Sequence, residues 1–185
     1  DWGQVAANGG LAALLALVHG LWPGQTWMWV AFAGALAAVN ADTWATELGV
    51  LSTTPPRLIT SWQRVEGGTS GGVSLIGTLA ALGGATLIGL AAALLWPETG
   101  SWATWLAVSL GGLAGTLFDS WLGATIQAIY HCPRCQKETE RHPVHTCGAQ
   151  TTLLRGWRWL NNDLVNLACS LAGAGLALGI WLSAG

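Results

Sequence analysis

Four carboxylates lie within otherwise apolar segments of the chain, where a charged side chain is costly and usually marks function. Asp42 and Glu47 share one segment, Asp119 lies in a second and Asp163 in a third. None of these segments contains a Lys or Arg, so repulsion between the acids favours a bound divalent cation. Hard oxygen ligands suit Mg²⁺, which takes one or two carboxylates together with substrate phosphates. We therefore predict a Mg²⁺ site formed by these four acids.

Polar residues recur at helical spacing beside the acids. Asn40 and Glu47 are separated by seven residues, and Asn162 and Asn166 by four, so each pair lies on one helix face. Asp119 shares a stripe with glycines and a threonine. Three helices are thus predicted to present polar faces to a common interior. The alternative is that the amide and small residues serve helix packing alone.

A glycine-rich stretch, EGGTSGGVS at 66–74, precedes another apolar segment. Thr69 or Ser70 can cap the following helix, whose free N–H groups attract an anion. We predict a phosphate cradle formed by Thr69, Ser70, Gly71 and Gly72. The alternative is a flexible capped loop. The chain has no GxxxxGK motif followed by Ser or Thr, which excludes a P-loop ATPase.

Three of the four cysteines lie close together, in a CxxC pair followed by His-x-Cys. Two close pairs of soft ligands match a tetrahedral structural zinc site. The predicted Zn²⁺ ligands are Cys132, Cys135, His145 and Cys147. His142 is an alternative to His145, and cysteines without metal are the alternative to the site itself. Four protein ligands leave no open position, so the predicted role is structural.

The composition indicates what surrounds these residues. The chain has 185 residues, of which 52% are hydrophobic and 9% charged, with a net charge of −2. Soluble domains carry about 25% charged residues. This difference excludes a disordered protein, a disulfide-stapled secreted module and a conventional soluble enzyme. The absence of a basic excess argues against a nucleic-acid partner. An integral membrane protein with the lipid bilayer as its partner remains.

Five apolar stretches are long enough to cross a bilayer core of about 30 Å. They cover residues 2–21, 27–48, 71–96, 102–129 and 160–182. The predicted fold is an all-α polytopic bundle, a single transmembrane domain over residues 1–185. Residues 130–159 form a Cys/His zinc-binding loop inserted between spans four and five.

The cations predict the orientation of this bundle. All seven Lys and Arg residues lie in two long loops, 49–70 and 130–159. The positive-inside rule assigns both loops to the cytoplasm, with the N-terminus cytoplasmic and the C-terminus outside. This orientation brings the four acids and Glu66 toward the cytoplasmic or stromal-equivalent face, where we expect the active site.

Four ordered strings carry a family resemblance: NADTWATELG at 40–49, GTSGGVS at 68–74, FDSWLGA at 118–124 and WLNNDLVN at 159–166. With the Cys-rich loop between the last two, the chain resembles the integral-membrane family of the chloroplast phytyl-phosphate kinase of vitamin E (tocopherol) synthesis. Most members of that family are uncharacterised. The resemblance also implies further sequence, including another span, before Asp1.

The resemblance implies phosphoryl transfer from a nucleotide, by analogy CTP, to an isoprenoid monophosphate such as phytyl phosphate, giving the diphosphate. Asp42, Glu47, Asp119 and Asp163 would then position Mg²⁺ and nucleotide as catalytic residues. The expected substrate- and nucleotide-binding residues are Asn40, Arg64, Glu66, Thr69, Ser70, Gly71, Gly72, Ser120, Arg155, Asn162 and Asn166.

Two other functions use intramembrane acids. A cation or proton transporter would distribute its acids through the membrane. A CDP-alcohol phosphotransferase also clusters aspartates around metal, but its signature motif is missing here.

Overall fold

The computed structural model describes residues 2–184 and is mostly helical. Five helices run α1 Trp2–Leu21, α2 Thr26–Gly49, α3 Leu75–Leu95, α4 Ser101–Thr125 and α5 Asn162–Ala184. A single 3₁₀ turn, Pro97–Thr99, joins α3 to α4. The two long connections contain short strands: β1 Arg57–Leu58, β2 Gly72–Val73, β3 Ile129–Cys132, β4 Lys137–Thr139 and β5 Thr152–Arg155. The all-α prediction therefore holds for the bundle but omits two small sheets in the loops.

Helix α2 lies at the centre of the bundle and contacts each of the other four helices. Small residues permit this close packing, because the backbones of neighbouring helices touch where glycine replaces a larger residue. A Cβ added at Gly112 would overlap Ala37 of α2, and one added at Gly115 would overlap Ala38. Gly112 and Gly115 of α4 therefore serve packing against α2.

Three of the described helices, α1, α3 and α5, are long and apolar enough to cross a membrane. Helices α2 and α4 have 24 and 25 residues, so each is about 36 Å long or slightly more. Acids, tryptophans and glycines lower their apolarity. The two helices that carry these polar residues both pack against the more apolar α3 and α5.

Helix α3 begins at Leu75, four residues later than the span predicted from Gly71. Gly72–Val73 pair instead with Arg57–Leu58 as an antiparallel ladder, which uses their backbone groups before the helix starts. Ser74 is the N-cap, and its hydroxyl accepts a hydrogen bond of 3.0 Å from Gly77 N–H. The prediction that Thr69 or Ser70 caps this helix was wrong for that reason.

The second long loop is a three-stranded antiparallel sheet in the order β4-β3-β5. Helix α4 ends at Thr125, before the predicted limit of Ile129, because Ile129 already belongs to β3. Ala128 N–H donates to Leu160 O at 2.8 Å, which fixes the sheet to the start of α5. The loop is therefore a folded unit held against the bundle end.

Candidate functional site

A cavity of about 1030 Å³ opens at the end of the bundle that carries the two long loops. All five helices contribute to its wall, together with the glycine-rich segment and the second loop. This volume is at the upper end of the range typical of ligand sites. Ten of the residues predicted for the site line it: Asp42, Glu47, Thr69, Ser70, Gly71, Gly72, Asp119, Ser120, Asn162 and Asn166.

Two carboxylates from neighbouring helices converge in this cavity. Thr116 Oγ donates to Ala38 O at 3.1 Å, and Asp119 and Asp42 each lie one helical turn beyond these two residues. The carboxylates of Asp42 and Asp119 are close enough to interact electrostatically. Asp119 Oδ2 is buried and has no hydrogen-bond partner among the described residues. Neither helix contains a Lys or Arg to neutralise this pair.

The other two predicted acids differ in their placement. Glu47 is exposed near the C-terminal end of α2 and lines the cavity. Asp163 is half-buried in the first turn of α5 and lies outside the cavity lining. A carboxylate in the first turn of a helix interacts favourably with the helix dipole. The helix dipole is therefore sufficient to explain an acid at position 163, and no bound metal or substrate is needed to explain it.

Glu140 is a further acid of the site, beside Asp42 and Asp119, and we did not predict it from the sequence. It follows β4 in the second loop, lines the cavity and interacts electrostatically with Asp42 and Asp119. Burial of its carboxylate by the surrounding protein raises the pKa of Glu140, although hydrogen bonding with Gln127 and Ser70 opposes this shift. A loop acid lacks the helical spacing that singled out the others, so only the fold identifies it.

The glycine-rich segment packs directly on the end of α4. Gly71 has a φ of +82°, and a Cβ there would overlap the backbone of Ala124. Ser70 Oγ donates to Gln127 Oε1 at 3.0 Å. Close packing therefore requires glycine at position 71, while the same segment borders the cavity.

Arg155 holds this contact from the second loop. Its guanidinium donates to Gly123 O at 2.7 Å and to Ser70 O at 3.3 Å, and lies 3.7 Å from the Glu138 carboxylate. These contacts connect β5, α4 and the glycine-rich segment. Arg155 therefore positions the cavity wall and lies outside its lining.

Three further predicted residues also lie outside the cavity lining. Asn40 Nδ2 donates to Gly84 O at 2.9 Å and so ties α2 to α3. Arg64 and Glu66 are exposed and border a second, more open cavity between the two loops. Among residues 2–184, Arg141 is the one Lys or Arg that lines the acid-containing cavity.

Polar amides of α5 contribute a further part of the cavity wall. Asn162 Oδ1 accepts a hydrogen bond of 3.4 Å from Gln127 Nε2, and Asn166 is buried one turn further along α5. Ser120 follows Asp119 on α4. These neutral groups can contact phosphate or water without adding negative charge.

The Cys/His cluster lies in the second loop. The ligand atoms of Cys132, Cys135, His145 and Cys147 all lie within 4.8 Å of one another. Hydrogen bonding to His145 lowers the pKa of the Cys147 thiol to about 6, and contact with Cys147 raises the pKa of the Cys135 thiol to about 11. His142 instead stacks on Tyr130, with ring centroids 4.4 Å apart. The structure thus brings His145, and not His142, to the three thiols.

Comparison with known proteins gives a match over nearly the whole chain. Residues 1–174 match the family described as integral membrane protein DUF92. The chain is 38% identical to Protein PGR of Arabidopsis thaliana over 154 residues, which cover 71% of this chain and 54% of that protein. No solved structure matches the chain significantly.

Two microbial relatives are described only as uncharacterized membrane proteins. The protein of Methanocaldococcus jannaschii is 41% identical over 67% of this chain and 50% of its own length. The protein of Synechocystis is 30% identical over 97% of this chain and 57% of its own length. The chain thus spans about half the length of these curated relatives. The membership of an integral-membrane family that the sequence motifs predicted is confirmed.

Proposed function

The chain belongs to the integral membrane protein DUF92 family, and from this premise we propose that it transfers a phosphoryl group from a nucleoside triphosphate, by analogy CTP, to an isoprenoid monophosphate such as phytyl phosphate. The proposal rests on one observation above others. Asp42 and Asp119, from two packed helices that contain no Lys or Arg, converge in a cavity that the glycine-rich segment also borders. Phosphoryl transfer requires this combination of metal ligands and phosphate donors.

The donor set fits Mg²⁺. Asp42 and Asp119 supply hard oxygen atoms, and no side chain or backbone group of residues 2–184 that the structure describes forms a hydrogen bond with Asp119 Oδ2. Mg²⁺ commonly takes one or two carboxylates and completes its shell with water and substrate phosphates. When bound, it would neutralise charge on the transferring phosphate. Glu47 at the cavity mouth is available to a nucleotide-bound cation.

The proposed step needs little acid or base chemistry. An oxygen of the prenyl monophosphate attacks the γ-phosphorus of CTP and forms a new P–O bond. The bond from that phosphorus to the β,γ-bridging oxygen breaks, and CDP leaves with its electron pair. Since the attacking oxygen is already ionised, positioning and charge neutralisation supply the catalysis.

The remaining residues of the cavity are assigned by position. The backbone and hydroxyls of Thr69 and Ser70 would face the donor phosphates, and Ser120, Asn162 and Asn166 would give neutral hydrogen bonds. Arg64 and Arg155, which we expected to bind substrate or nucleotide, lie outside the cavity lining. Arg141 lines the cavity and would bind phosphate in their place. Its guanidinium would hold phosphate oxygens bidentately.

The membrane arrangement is part of the proposal. We propose that all five helices span the bilayer, because α2 and α4 exceed the required length and α2 contacts every other helix. The seven cations of the two long loops favour the cytoplasmic face for the cavity. A prenyl tail could then remain among lipids while its phosphate reaches the acids.

The direct test is transfer by the pure protein in detergent. We expect radiolabel to pass from [γ-³²P]-CTP or ATP to phytyl or geranylgeranyl phosphate in the presence of Mg²⁺, and not in EDTA. Asp119→Asn should abolish transfer and leave the protein folded, because it removes a ligand charge but keeps the side-chain shape. Glu98→Gln, at the opposite end of the bundle, is the matched control and should retain full activity.

Two outcomes would refute this function. One is full transfer by the Asp119→Asn variant, which would remove the acids from the reaction. The other is no transfer with any pairing of nucleotide and prenyl phosphate, accompanied by cation uptake into liposomes without nucleotide. The second result would favour a transporter.

A further inference from the structure

We propose that Cys132, Cys135, His145 and Cys147 bind one Zn²⁺, and that this closed site positions Glu140 as a third carboxylate beside Asp42 and Asp119 in the acid-containing cavity. The zinc assignment stands on the second loop alone. The role of Glu140 rests on the proposed function, because it requires the proposed Mg²⁺ site. If Glu140 contributes to that site, zinc binding in the second loop affects the affinity for Mg²⁺.

The ligand geometry supports zinc. In a tetrahedral site with bonds of about 2.3 Å to sulfur and about 2.0 Å to nitrogen, neighbouring ligand atoms lie roughly 3.5–3.8 Å apart. Here the sulfur atoms of Cys132 and Cys147 are 3.5 Å apart, and His145 Nδ1 lies 3.3 Å from Cys147 Sγ and 3.6 Å from Cys135 Sγ. The four atoms are thus spaced for a single ion.

The backbone around the cluster also has the form of a metal-binding turn. Cys135 N–H donates to Cys132 Sγ at 3.5 Å, and Gln136 N–H donates to Cys132 O at 2.9 Å. Arg134 Nη1 donates to Cys147 O at 3.0 Å, joining the two halves of the cluster. Four protein ligands close the coordination sphere, so the site is structural.

Glu140 is held between the two halves of this cluster along the chain. It lies five residues after Cys135 and five before His145, and β4, which precedes it, pairs with β3 from Tyr130 to Cys132. Thr151 Oγ donates to Arg141 O at 3.1 Å, which fixes the next residue. The segment carrying Glu140 is therefore tethered at both ends by the proposed zinc ligands.

The third acid changes the charge of the cavity. Glu140 interacts electrostatically with both Asp42 and Asp119, although it comes from a loop and they come from helices. Three carboxylates around one space bind a divalent cation more tightly than two, provided the third is held in place. Loss of zinc would release Glu140 and weaken magnesium binding without altering the two helical ligands.

The test measures metals in the pure protein, with no nucleotide or prenyl phosphate present. Elemental analysis should give one zinc per chain, and electron paramagnetic resonance titration with Mn²⁺, as a probe of the Mg²⁺ site, gives its affinity. Cys135→Ser should lose zinc and bind Mn²⁺ about tenfold more weakly, the lower end of the range for loss of a positioning group. Glu140→Gln should keep zinc and show the same weakening.

Two further variants distinguish the loss of zinc from general misfolding as the cause of weaker Mn²⁺ binding. Cys135→His offers zinc another ligand and should restore both zinc and Mn²⁺ affinity. Cys169→Ser, in the buried part of α5, should retain full zinc content. A protein that purifies without zinc, or a zinc-free variant that binds Mn²⁺ as the wild type does, would overturn the proposal. If loss of zinc weakens Mn²⁺ binding but the protein transfers no phosphoryl group, only the proposed function is refuted.

Discussion

Asn40 illustrates how a polar side chain in a membrane helix can serve the fold instead of the site. Its amide donates to Gly84 O of α3, and neither residue lines the cavity. Such interhelical hydrogen bonds are worth about 0.6 kcal/mol on average. The side chain is thus used by the protein itself and is not free for a phosphate.

We predict that Asn40→Ala lowers the free energy of unfolding in mixed micelles by about 0.6 kcal/mol and leaves Mn²⁺ affinity unchanged. Asn166→Ala is the comparison, since that residue lines the cavity and its loss should weaken transfer. A tenfold drop in Mn²⁺ affinity for Asn40→Ala would instead place Asn40 among the ligands.

At the scale of elements, the glycine-rich segment has a packing requirement that can be separated from phosphate binding. Gly71 combines a positive φ with backbone contact to Ala124 of α4, whereas Gly67 has open space around its Cα. The two glycines therefore differ in role: Gly71 is required for packing against α4, and Gly67 is not.

We predict that Gly71→Ala destabilises the protein by roughly 1–3 kcal/mol, because it adds a strained backbone angle and an overlap with α4. Gly67→Ala should leave stability within about 0.5 kcal/mol of the wild type. Thermal unfolding in detergent measures both. Equal effects from the two substitutions would contradict the packing role of Gly71.

The limits of sequence inference also appear at this scale. Hydropathy predicts the helical segments, and helical periodicity predicts that Asp42 and Asp119 face a common interior, where both line one cavity. Both predictions depend only on the spacing of residues along the chain. The start of α3 depends on pairing between β1 and β2, which are separated by the rest of the first loop. Glu140 likewise enters the site through tertiary structure that no local pattern encodes.

For the whole molecule, the two ends of the bundle differ in composition and structure. One end carries both folded loops, all seven cations and the acid-containing cavity; the other has short joints around Trp22–Gln25 and Pro97–Gly100. From this asymmetry we predict that the end with both loops faces the cytoplasm, since basic loops are retained there.

Native cysteines make this orientation testable. Cys132, Cys135 and Cys147 lie in the second loop, and Gly24, in the first short joint, has open space around its Cα. In intact bacterial cells, a membrane-impermeant maleimide should label Gly24→Cys. The unsubstituted chain should react only after the membrane is permeabilised and zinc is chelated. Labelling of the unsubstituted chain in intact cells would reverse the orientation and move the cavity to the outer face, away from cytoplasmic nucleotide.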